Sequence, residues 1–196
     1  MAELYWELQS PTKMAAKSMN SGGKPRLTRE DWFRTGLEAL AKSGPGAVKA
    51  VKLARMLGVT TGSFYWHFSS LGEFRAGLLE YWKEDVVVGL IRAAKSSAQE
   101  PAQVLVELRK RILESGAHRY DAALRRLAAT DPRVRDAVSE ADEVRATFLM
   151  EMLCKSGMSE DEARDRANLT GAAWRGSVDL EDPDYRMKLI RLAAQG

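Results

Sequence analysis

The stretch 53–68 carries the most informative residue spacing in this chain. Ala54 is followed four residues later by Gly58, with apolar residues at Val59 and Phe64. Alanine is small enough for a second helix to cross closely, and glycine adopts the positive φ that ends a helix and turns the chain. This pattern is typical of a helix-turn-helix, whose second helix enters the major groove of DNA. The chemistry it offers is recognition of a duplex, without covalent change.

An ordinary helical hairpin in a bundle core has the same spacing, so two further observations are needed. The second helix carries the small polar residues Thr60, Thr61 and Ser63 where a solubilising face would carry charges. It then ends in the aromatic run Tyr-Trp-His-Phe at 65–68, which is costly to expose unless it docks on a partner. We therefore interpret 60–67 as a recognition helix.

Basic residues are concentrated in the half of the chain that holds this motif. Residues 1–82 contain 11 Lys and Arg against 7 Asp and Glu, a net charge of +4, whereas residues 83–196 contain 19 against 20. Such an asymmetry is expected when Lys and Arg neutralise phosphates, although a solvated surface also shows it by chance.

Composition indicates a protein with its own core and excludes several classes. Of 196 residues 45% are hydrophobic, and the single cysteine excludes an intrachain disulfide and suits a reducing cytoplasm. No apolar run approaches the roughly 20 residues of a membrane span, and 1–26 lacks the apolar core of a secretory signal. No phosphate loop or Cys/His metal spacing occurs, and His67 and His118 are far apart. We expect a cytoplasmic protein that is not an enzyme and has no cofactor, metal or membrane partner.

Helical periodicity extends along the chain, and no stretch alternates with a period of two. Thr28 caps a first helix whose buried stripe is Phe33, Leu37 and Leu40. The motif helices follow at about 49–57 and 60–67, with the Thr60 hydroxyl capping the second. A Ser70–Glu73 capping box opens a fourth helix, which runs to about Ala94. Its apolar face is Leu71, Phe74, Leu78, Trp82 and Val86.

Five more helices are predicted, at about 101–116, 119–129, 132–157, 159–178 and 183–196. The apolar faces of the first and third of these are Leu105, Leu108 and Ile112, and Val134, Val138, Ala141, Phe148 and Met152. The fold class is all-α with about nine helices. We expect a flexible arm over 1–26, a three-helix DNA-binding domain over 27–72, and a C-terminal effector-binding and dimerisation domain over 73–196.

The capped first helix, the motif ending in Tyr-x-His-Phe and the bridging fourth helix resemble the TetR/AcrR family of transcriptional regulators. The specific part is Leu-Gly-Val-Thr-Thr-Gly-Ser-Phe-Tyr-Trp-His-Phe at 57–68, and the likeness covers about 27–90. The resemblance implies a homodimer whose two recognition helices enter successive major grooves of a pseudo-palindromic operator. It also implies a regulator, in most members a repressor, that leaves DNA when a small apolar or amphipathic effector binds the C-terminal domain.

The matching positions place Thr60, Thr61, Gly62 and Ser63 at the leading end of the recognition helix. None is Arg, Lys, Asn or Gln, the usual bidentate readers of base edges. We expect threonine methyls to contact thymine C5-methyl groups, Gly62 to permit close approach, and Trp66 to lie along the groove wall. Part of the specificity then comes from DNA shape.

Tyr65 and His67 match positions that reach phosphates in the family. A half-buried core aromatic is the alternative for Tyr65, and orientation of the fourth helix is the alternative for His67. Phe64 and Phe68 are expected in the core.

One position departs from the family pattern. Relatives usually carry a phosphate-binding lysine near the start of the fourth helix, where this chain has Leu71 without a neighbouring cation. We hypothesise that basic residues elsewhere in the N-terminal half supply part of the missing contact. The candidates are Lys24, Arg26, Lys49 and Lys52, and Thr28 is a further candidate DNA contact.

Candidate effector contacts lie on the middle helices, although each also fits plain core or surface. They are Leu108, Arg111, Ile112, His118, Tyr120, Phe148, Met152 and Trp174, with Arg145 as a further polar contact. For the dimer face we expect 160–178, with Ala163, Ala167, Leu169, Ala172, Ala173 and Trp174, together with Tyr185, Leu189 and Leu192. The alternative function is a helical DNA-binding or interaction protein controlled by a protein partner, without a small-molecule inducer.

Overall fold

The computed structural model describes residues 27–176, and all regular structure in that range is helical. The eight helices are α1 (Arg29–Ser43), α2 (Ala50–Met56), α3 (Thr61–His67), α4 (71–97), α5 (Pro101–Ser115), α6 (Ala117–Ala128), α7 (Pro132–Lys155) and α8 (Glu160–Gly176). A 3-10 turn at Pro45–Ala47 links α1 to α2. The all-α prediction is confirmed over these residues. The predicted ninth helix at 183–196 and the predicted arm at 1–26 lie outside them.

The predicted caps of α1 and α7 are confirmed. The Thr28 hydroxyl accepts a hydrogen bond from the backbone N–H of Asp31, whose carboxylate accepts one from the N–H of Thr28 at 2.8 Å. Asp131 caps α7 with Pro132 in its first turn. These reciprocal bonds satisfy N–H groups that the first helical turn leaves without partners.

At two other helix starts the observed hydrogen bonds differ from the predicted caps. Thr60 does precede α3, but its hydroxyl makes no capping hydrogen bond, so that part of the prediction is wrong. At α4 the Ser70 hydroxyl accepts from the N–H of Glu73 as predicted. The Glu73 carboxylate, however, accepts from the N–H of Ser69 and not from that of Ser70. The predicted reciprocal hydrogen bonds between Ser70 and Glu73 are therefore incomplete, because the Glu73 carboxylate bonds to the preceding residue, Ser69.

The long helix α4 is continuous but changes its winding in the middle. It consists of an α-helical part, Leu71–Tyr81, a π-helical part, Trp82–Val88, and a second α-helical part, Gly89–Ser97. Buried residues recur every fourth position as far as Trp82, and the next one is Val87, five positions on. Val86, predicted on the apolar face, is half-buried and packs against the core, while Val87 takes the fully buried position because a π turn bonds to the fifth residue and shifts the face by one.

The head, residues 27–81, is built around packed aromatic rings. Trp32, Phe64 and Phe74 are fully buried. The ring centroid of Phe64 lies 5.4 Å from that of Trp32 and 5.4 Å from that of Phe74. The predicted stripe of α1 is confirmed, and Trp32 widens it, because α3 and α4 both pack against this helix.

Helices α1 and α4 cross closely because each has a glycine where the other inserts a ring. A Cβ on Gly36 would lie 2.7 Å from the Phe74 ring, and a Cβ on Gly77 would lie 2.7 Å from the Phe33 ring. Both distances are far below van der Waals contact, so neither position has room for a side chain.

The body, residues 82–176, shares its core with the head. One apolar cluster runs from Leu37 of α1 to Leu124 of α6 and Val138 of α7. The Tyr120 hydroxyl donates a short hydrogen bond to the Glu38 carboxylate across this junction. Burial, followed by that hydrogen bond, raises the pKa of Tyr120.

Helix α8 packs along α7. Ala163 and Ala167 are buried at this contact, so their assignment to a dimer face is wrong. Their spacing of four places both on the side of α8 that faces α7. Leu169 is 62% exposed on another side of the same helix.

Four charged residues join α6 to α7 in a largely buried, charge-balanced network. Arg125 donates to Asp121 at 2.8 Å and to both carboxylate oxygens of Asp142. Arg145 donates to Asp121 at 2.8 Å and to Asp142 at 3.0 Å, and it lies 5.5 Å above the Trp82 ring. Burial opposes the charge of Arg125, but the bond to Asp142 and the charge of Asp121 outweigh it and raise the pKa of Arg125.

None of the helices described between residues 27 and 176 combines the length and the apolar content needed to cross a bilayer.

Candidate nucleic-acid interface

Helix α3, the predicted recognition helix, presents a small surface without formal charge. Its exposed residues are Thr60 at the cap, Gly62, Tyr65 and Trp66, with Thr61, Ser63 and His67 half-buried. No Asp, Glu, Lys or Arg occurs between Arg55 and Glu73. Four of the seven residues predicted to contact DNA on this helix are therefore exposed, and three are half-buried.

Phe64 sets the orientation of α3. It stands in the middle of a seven-residue helix and is 0% exposed. Its ring lies 5.1 Å from that of Phe68, which is also buried. Both were expected in the core, and this is confirmed. Anchoring this side turns the opposite side of α3 towards solvent.

The turn before α3 follows the predicted spacing. Gly58 has φ +68°, in the left-handed region that favours glycine. The N–H of Val59 donates to the carbonyl of Ala54 at 3.0 Å, which closes the turn. A helix of seven residues is marginal by itself, so this turn and the aromatic core hold α3 in place.

The two exposed aromatic residues of α3 are held by neighbouring rings. Tyr65 is 57% exposed, with its ring edge-on to Phe64 at 5.3 Å. The alternative of a half-buried core aromatic is therefore wrong for Tyr65. Trp66 is 65% exposed and packs edge-on to His67 at 4.7 Å, and the His67 ring lies 6.2 Å from Trp32. These contacts restrict both rings before any partner binds.

Arg29, which the sequence analysis does not single out, links α1 to the turn between α3 and α4. Its guanidinium donates to the carbonyl of His67 at 2.5 Å and to Glu73 at 3.0 Å, and it lies 4.3 Å above the Phe68 ring. Glu73 also accepts bonds from the hydroxyl and N–H of Ser69, both at 2.7 Å. Together these bonds fix where α3 ends.

The Glu73 carboxylate is strongly stabilised in its charged form. Hydrogen bonds from Ser69, followed by Arg29, lower the pKa of Glu73 from 4.5 to about 2. Because the pKa of Glu73 is lowered in the folded protein, its charged form stabilises the folded state at pH values above 4.5. This contribution is lost as the pH falls from 4.5 towards 2.

We therefore expect Glu73→Gln to melt at a lower temperature than the wild type at about pH 7, with a difference that shrinks towards about pH 3. The amide places a donor where the carboxylate accepts from Ser69 or Arg29. Thermal melts at both pH values measure this difference, and Glu143→Gln, exposed on α7, is the control. A difference that is the same at both pH values contradicts the assignment.

Exposed cations occur on the elements that precede and follow α3 in the chain. The exposed ones within the described residues include Lys49 before α2, Lys52 and Arg55 on α2, and Arg75 on α4. Arg55 and Arg75 are absent from the sequence-based candidates, because exposure depends on packing that periodicity alone does not reveal. Lys52 also donates to the carbonyl of Gly46 at 3.1 Å.

The remaining candidate DNA contacts have different surroundings. Leu71, at the position where relatives carry a lysine, packs against the head core. Thr28 is exposed, and its hydroxyl takes part in the α1 cap. Lys24 and Arg26 lie outside the described residues.

The candidate effector residues do not converge on one cavity. Leu108, Phe148 and Met152 lie in an apolar cluster between α4, α5 and α7. Arg111 bonds to Ser97 on α4 at 2.7 Å. On this part of α5, Val104 is the fully buried residue, whereas Leu105, Leu108 and Ile112 are half-buried.

The polar candidates for effector binding contact other groups of the protein. The Tyr120 hydroxyl bonds Glu38, Arg145 belongs to the α6–α7 network, and a ring nitrogen of His118 lies 3.4 Å from the carbonyl of Ile112. The side chain of Trp174 lies outside what the structure describes.

Two surface grooves among the described residues border candidate or junction residues. The larger, about 550 Å³, lies between α4 and α7, and Phe148 is the one effector candidate that lines it. The smaller, about 430 Å³, lies between the end of α1 and α6. No group of three or more His, Cys, Asp or Glu in residues 27–176 is arranged to hold a metal ion.

Over the described residues the molecule is thus an all-helical protein in which a helix-turn-helix head rests on a helical body. That architecture is the fold of TetR-family transcriptional regulators. A TetR transcriptional regulator from Legionella pneumophila has a TM-score of 0.71 at 13% identity, covering 86% of this chain and 96% of that one. A transcriptional regulator from Rhodococcus sp. Rha1 has a TM-score of 0.66 at 22% identity, covering 86% and 95%.

A third similar structure is Thermus thermophilus FadR, a TetR-family transcriptional repressor in complex with lauroyl-CoA. Its TM-score is 0.51 at 22% identity, covering 86% of this chain and 94% of that one. No protein-family model and no curated protein matches the sequence.

Proposed function

We propose that the protein is a DNA-binding transcriptional regulator of the TetR family that acts as a repressor in the cytoplasm. It binds a pseudo-palindromic operator as a homodimer, through α3 of each copy. The observation that carries this proposal is the outward face of α3, which is uncharged, bears two exposed aromatics and lies in a head rich in exposed cations. A surface of this kind suits the floor of a groove, with cations on the flanking phosphates.

The dimer rests on α8 and the residues that follow it. Leu169 is apolar yet 62% exposed, and Ala172 is exposed as well. Pairing two copies along this side would bury both residues. It would also supply the two heads that a two-fold operator needs.

For the effector we propose a small apolar or amphipathic molecule bound beside the Leu108–Phe148–Met152 cluster. The FadR structure is in complex with lauroyl-CoA, an amphipathic acyl thioester, which supports this class of effector for the fold. Release of the operator by such a compound would support this part of the proposal. Persistence of the complex with every compound tried would favour control by a protein partner.

The decisive experiment is selection of bound duplexes from a random pool with the purified full chain. We expect an inverted repeat with half-sites about one helical turn apart, because the two heads of a dimer reach successive major grooves. Absence of any enriched repeat at low salt contradicts the proposal and favours the helical interaction protein. Trp66→Ala should reduce retention of the pool, whereas Val106→Ala, at a hydrophobic residue of similar exposure on α5 (61%), should not.

Binding of the selected operator at several salt concentrations tests whether Lys24 and Arg26 contact phosphates. Each lost phosphate contact reduces the magnitude of the slope of log K against log salt concentration by about 0.9. If the arm binds DNA, Lys24→Ala with Arg26→Ala reduces the slope. Lys110→Ala with Arg126→Ala, at exposed positions of the body, leaves it unchanged. An unchanged slope in the first pair excludes the arm.

A further inference from the structure

The groove between the end of α1 and α6, here called the junction groove, has no part in the function proposed above. Its volume of about 430 Å³ lies within the range of small-molecule sites. One wall comes from α1 and the turn after it, and the other from α6 and the turn after that. The lining residues are Leu40, Ala41, Lys42, Gly44, Pro45, Ala123, Arg126, Leu127 and Thr130.

The floor of the junction groove is apolar. Leu40 is 3% exposed and Ala123 is 5% exposed, and both belong to the cluster that the head and the body share. Ala41 and Leu127 are half-buried and pack against the same cluster. An apolar group lying in the groove would therefore remove apolar surface from water on the ligand and on the protein.

The rim of the junction groove carries positive charge. Lys42 and Arg126 are both exposed, and the lining contains no Asp or Glu. Each cation stands in the last turn of its helix, where it also offsets the negative end of the helix dipole. Because one cation comes from α1 and the other from α6, the two charges flank the same floor from opposite walls.

No carboxylate within residues 27–176 forms an ion pair with either cation. Glu38 lies four residues before Lys42, the spacing of a helical ion pair, but its carboxylate accepts from Tyr120 and Arg119 instead. Arg126 has only alanine and threonine three and four residues away on either side. The fold thus leaves two cations over an apolar floor without an anion between them.

We propose that the junction groove binds a small organic anion. The carboxylate of this ligand accepts hydrogen bonds from Lys42 and Arg126, and its apolar chain or ring covers the floor. Arginine matches the two oxygens of a carboxylate, and lysine adds a point charge. The groove is separate from the effector position proposed beside Phe148, and the inference does not depend on DNA binding. Because α1 belongs to the head and α6 to the body, the ligand contacts both.

Isothermal titration calorimetry of the full chain at low salt tests the choice of ligand. Octanoate, octan-1-ol and octylammonium have the same chain and differ in the charge of the head group. For a ligand of about ten non-hydrogen atoms we expect octanoate to bind with a Kd of about 1 mM or tighter. The alcohol and the ammonium should bind at least about tenfold more weakly, because they lose the charge-assisted bonds.

Two variants locate the site. Lys42→Gln with Arg126→Gln removes both charges at exposed positions and should weaken octanoate at least about tenfold. Arg92→Gln with Lys110→Gln, exposed on α4 and α5, makes the same change in net charge and should leave binding unchanged.

Ala41→Leu keeps both cations and fills the floor, so it should remove octanoate binding. The matched control is Ala102→Leu, exposed on α5. Phe148→Ala should bind octanoate as the wild type does, because the groove is separate from the apolar cluster of the body.

Each contrary result overturns the inference. Absence of octanoate binding, or equal binding of the alcohol, removes the role of the cations. Equal binding by the variant without Lys42 and Arg126 places the anion elsewhere. Loss of binding in Phe148→Ala assigns octanoate to the effector position, and inorganic phosphate that binds as tightly as octanoate removes the apolar floor. Failure to select an operator, in contrast, contradicts the proposed function alone, since these titrations contain no DNA.

Discussion

Replacing Arg125 with alanine is expected to lower the free energy of unfolding by about 3–5 kcal/mol, the cost of removing one partner from a buried ion network. Arg125 is 8% exposed and neutralises Asp121 and Asp142, which are 5% and 18% exposed at their side chains. Without it, two carboxylates remain buried with only Arg145 between them. Their mutual repulsion and lost hydrogen bonds both act against the folded state.

The large value applies to breaking the network and is not its net contribution to stability. Taking four charges out of water costs free energy that their mutual attraction only partly returns. The network therefore affects stability chiefly because removing one member leaves the charges of the others without compensation. Arg145 is 28% exposed, so water can compensate part of its loss, and its removal should cost less than removal of Arg125.

Thermal melting at one fixed protein concentration measures the effect, because association would otherwise shift the midpoint. A loss of this size corresponds to a decrease of roughly 10 °C for a chain of this length. The control is Arg126→Ala, the next residue on α6, which is exposed. Similar melting of the two variants would show that the network does not hold α6 to α7.

The second large effect concerns the crossing of α1 and α4. Gly36→Leu is expected to destabilise the head by about 3 kcal/mol, near the upper end of what overpacking costs. Even a Cβ would stand 2.7 Å from the Phe74 ring, which is fully buried and cannot move away. Alanine at this position should also destabilise, although it favours a helix by about 1 kcal/mol over glycine.

Gly72→Leu is the matched control for this crossing. It makes the same change in the exposed first turn of α4, where a Cβ meets only the Ser70 hydroxyl at 3.5 Å. Urea titration followed by circular dichroism should show a lower midpoint for Gly36→Leu alone. Equal midpoints in the two variants would show that α1 and α4 can separate at little cost.

Features set by neighbouring residues were predictable from the sequence. Thr28, Gly58 and the Asp131–Pro132 pair act within one helical turn of themselves, and each behaves as predicted. Phe64 was also placed correctly, because its spacing from Gly58 fixes which side of α3 turns inward.

Features that depend on distant partners were not predictable. Arg29 lies 38 residues from His67 and 44 from Glu73, so no local pattern marks its role. Tyr120 was predicted to be a polar effector contact, because no local pattern indicates that its hydroxyl bonds to Glu38 of α1. The exposed residues of α3 could be predicted because they lie within one short helix, whereas the exposure of Arg55 and Arg75 depends on how separate helices pack.

The π-helical stretch of α4 determines where this helix can lose a residue. Deleting one residue between Lys83 and Val86 would place Trp82 and Val87 four positions apart, so the stretch could wind as an ordinary α-helix with both residues still on the buried face. The same deletion in the α-helical part Leu71–Tyr81 would instead turn everything on one side of it by about 100° and draw it in by about 1.5 Å. We therefore expect one-residue deletions to be tolerated in the π-helical stretch and to be destabilising in the first part of α4.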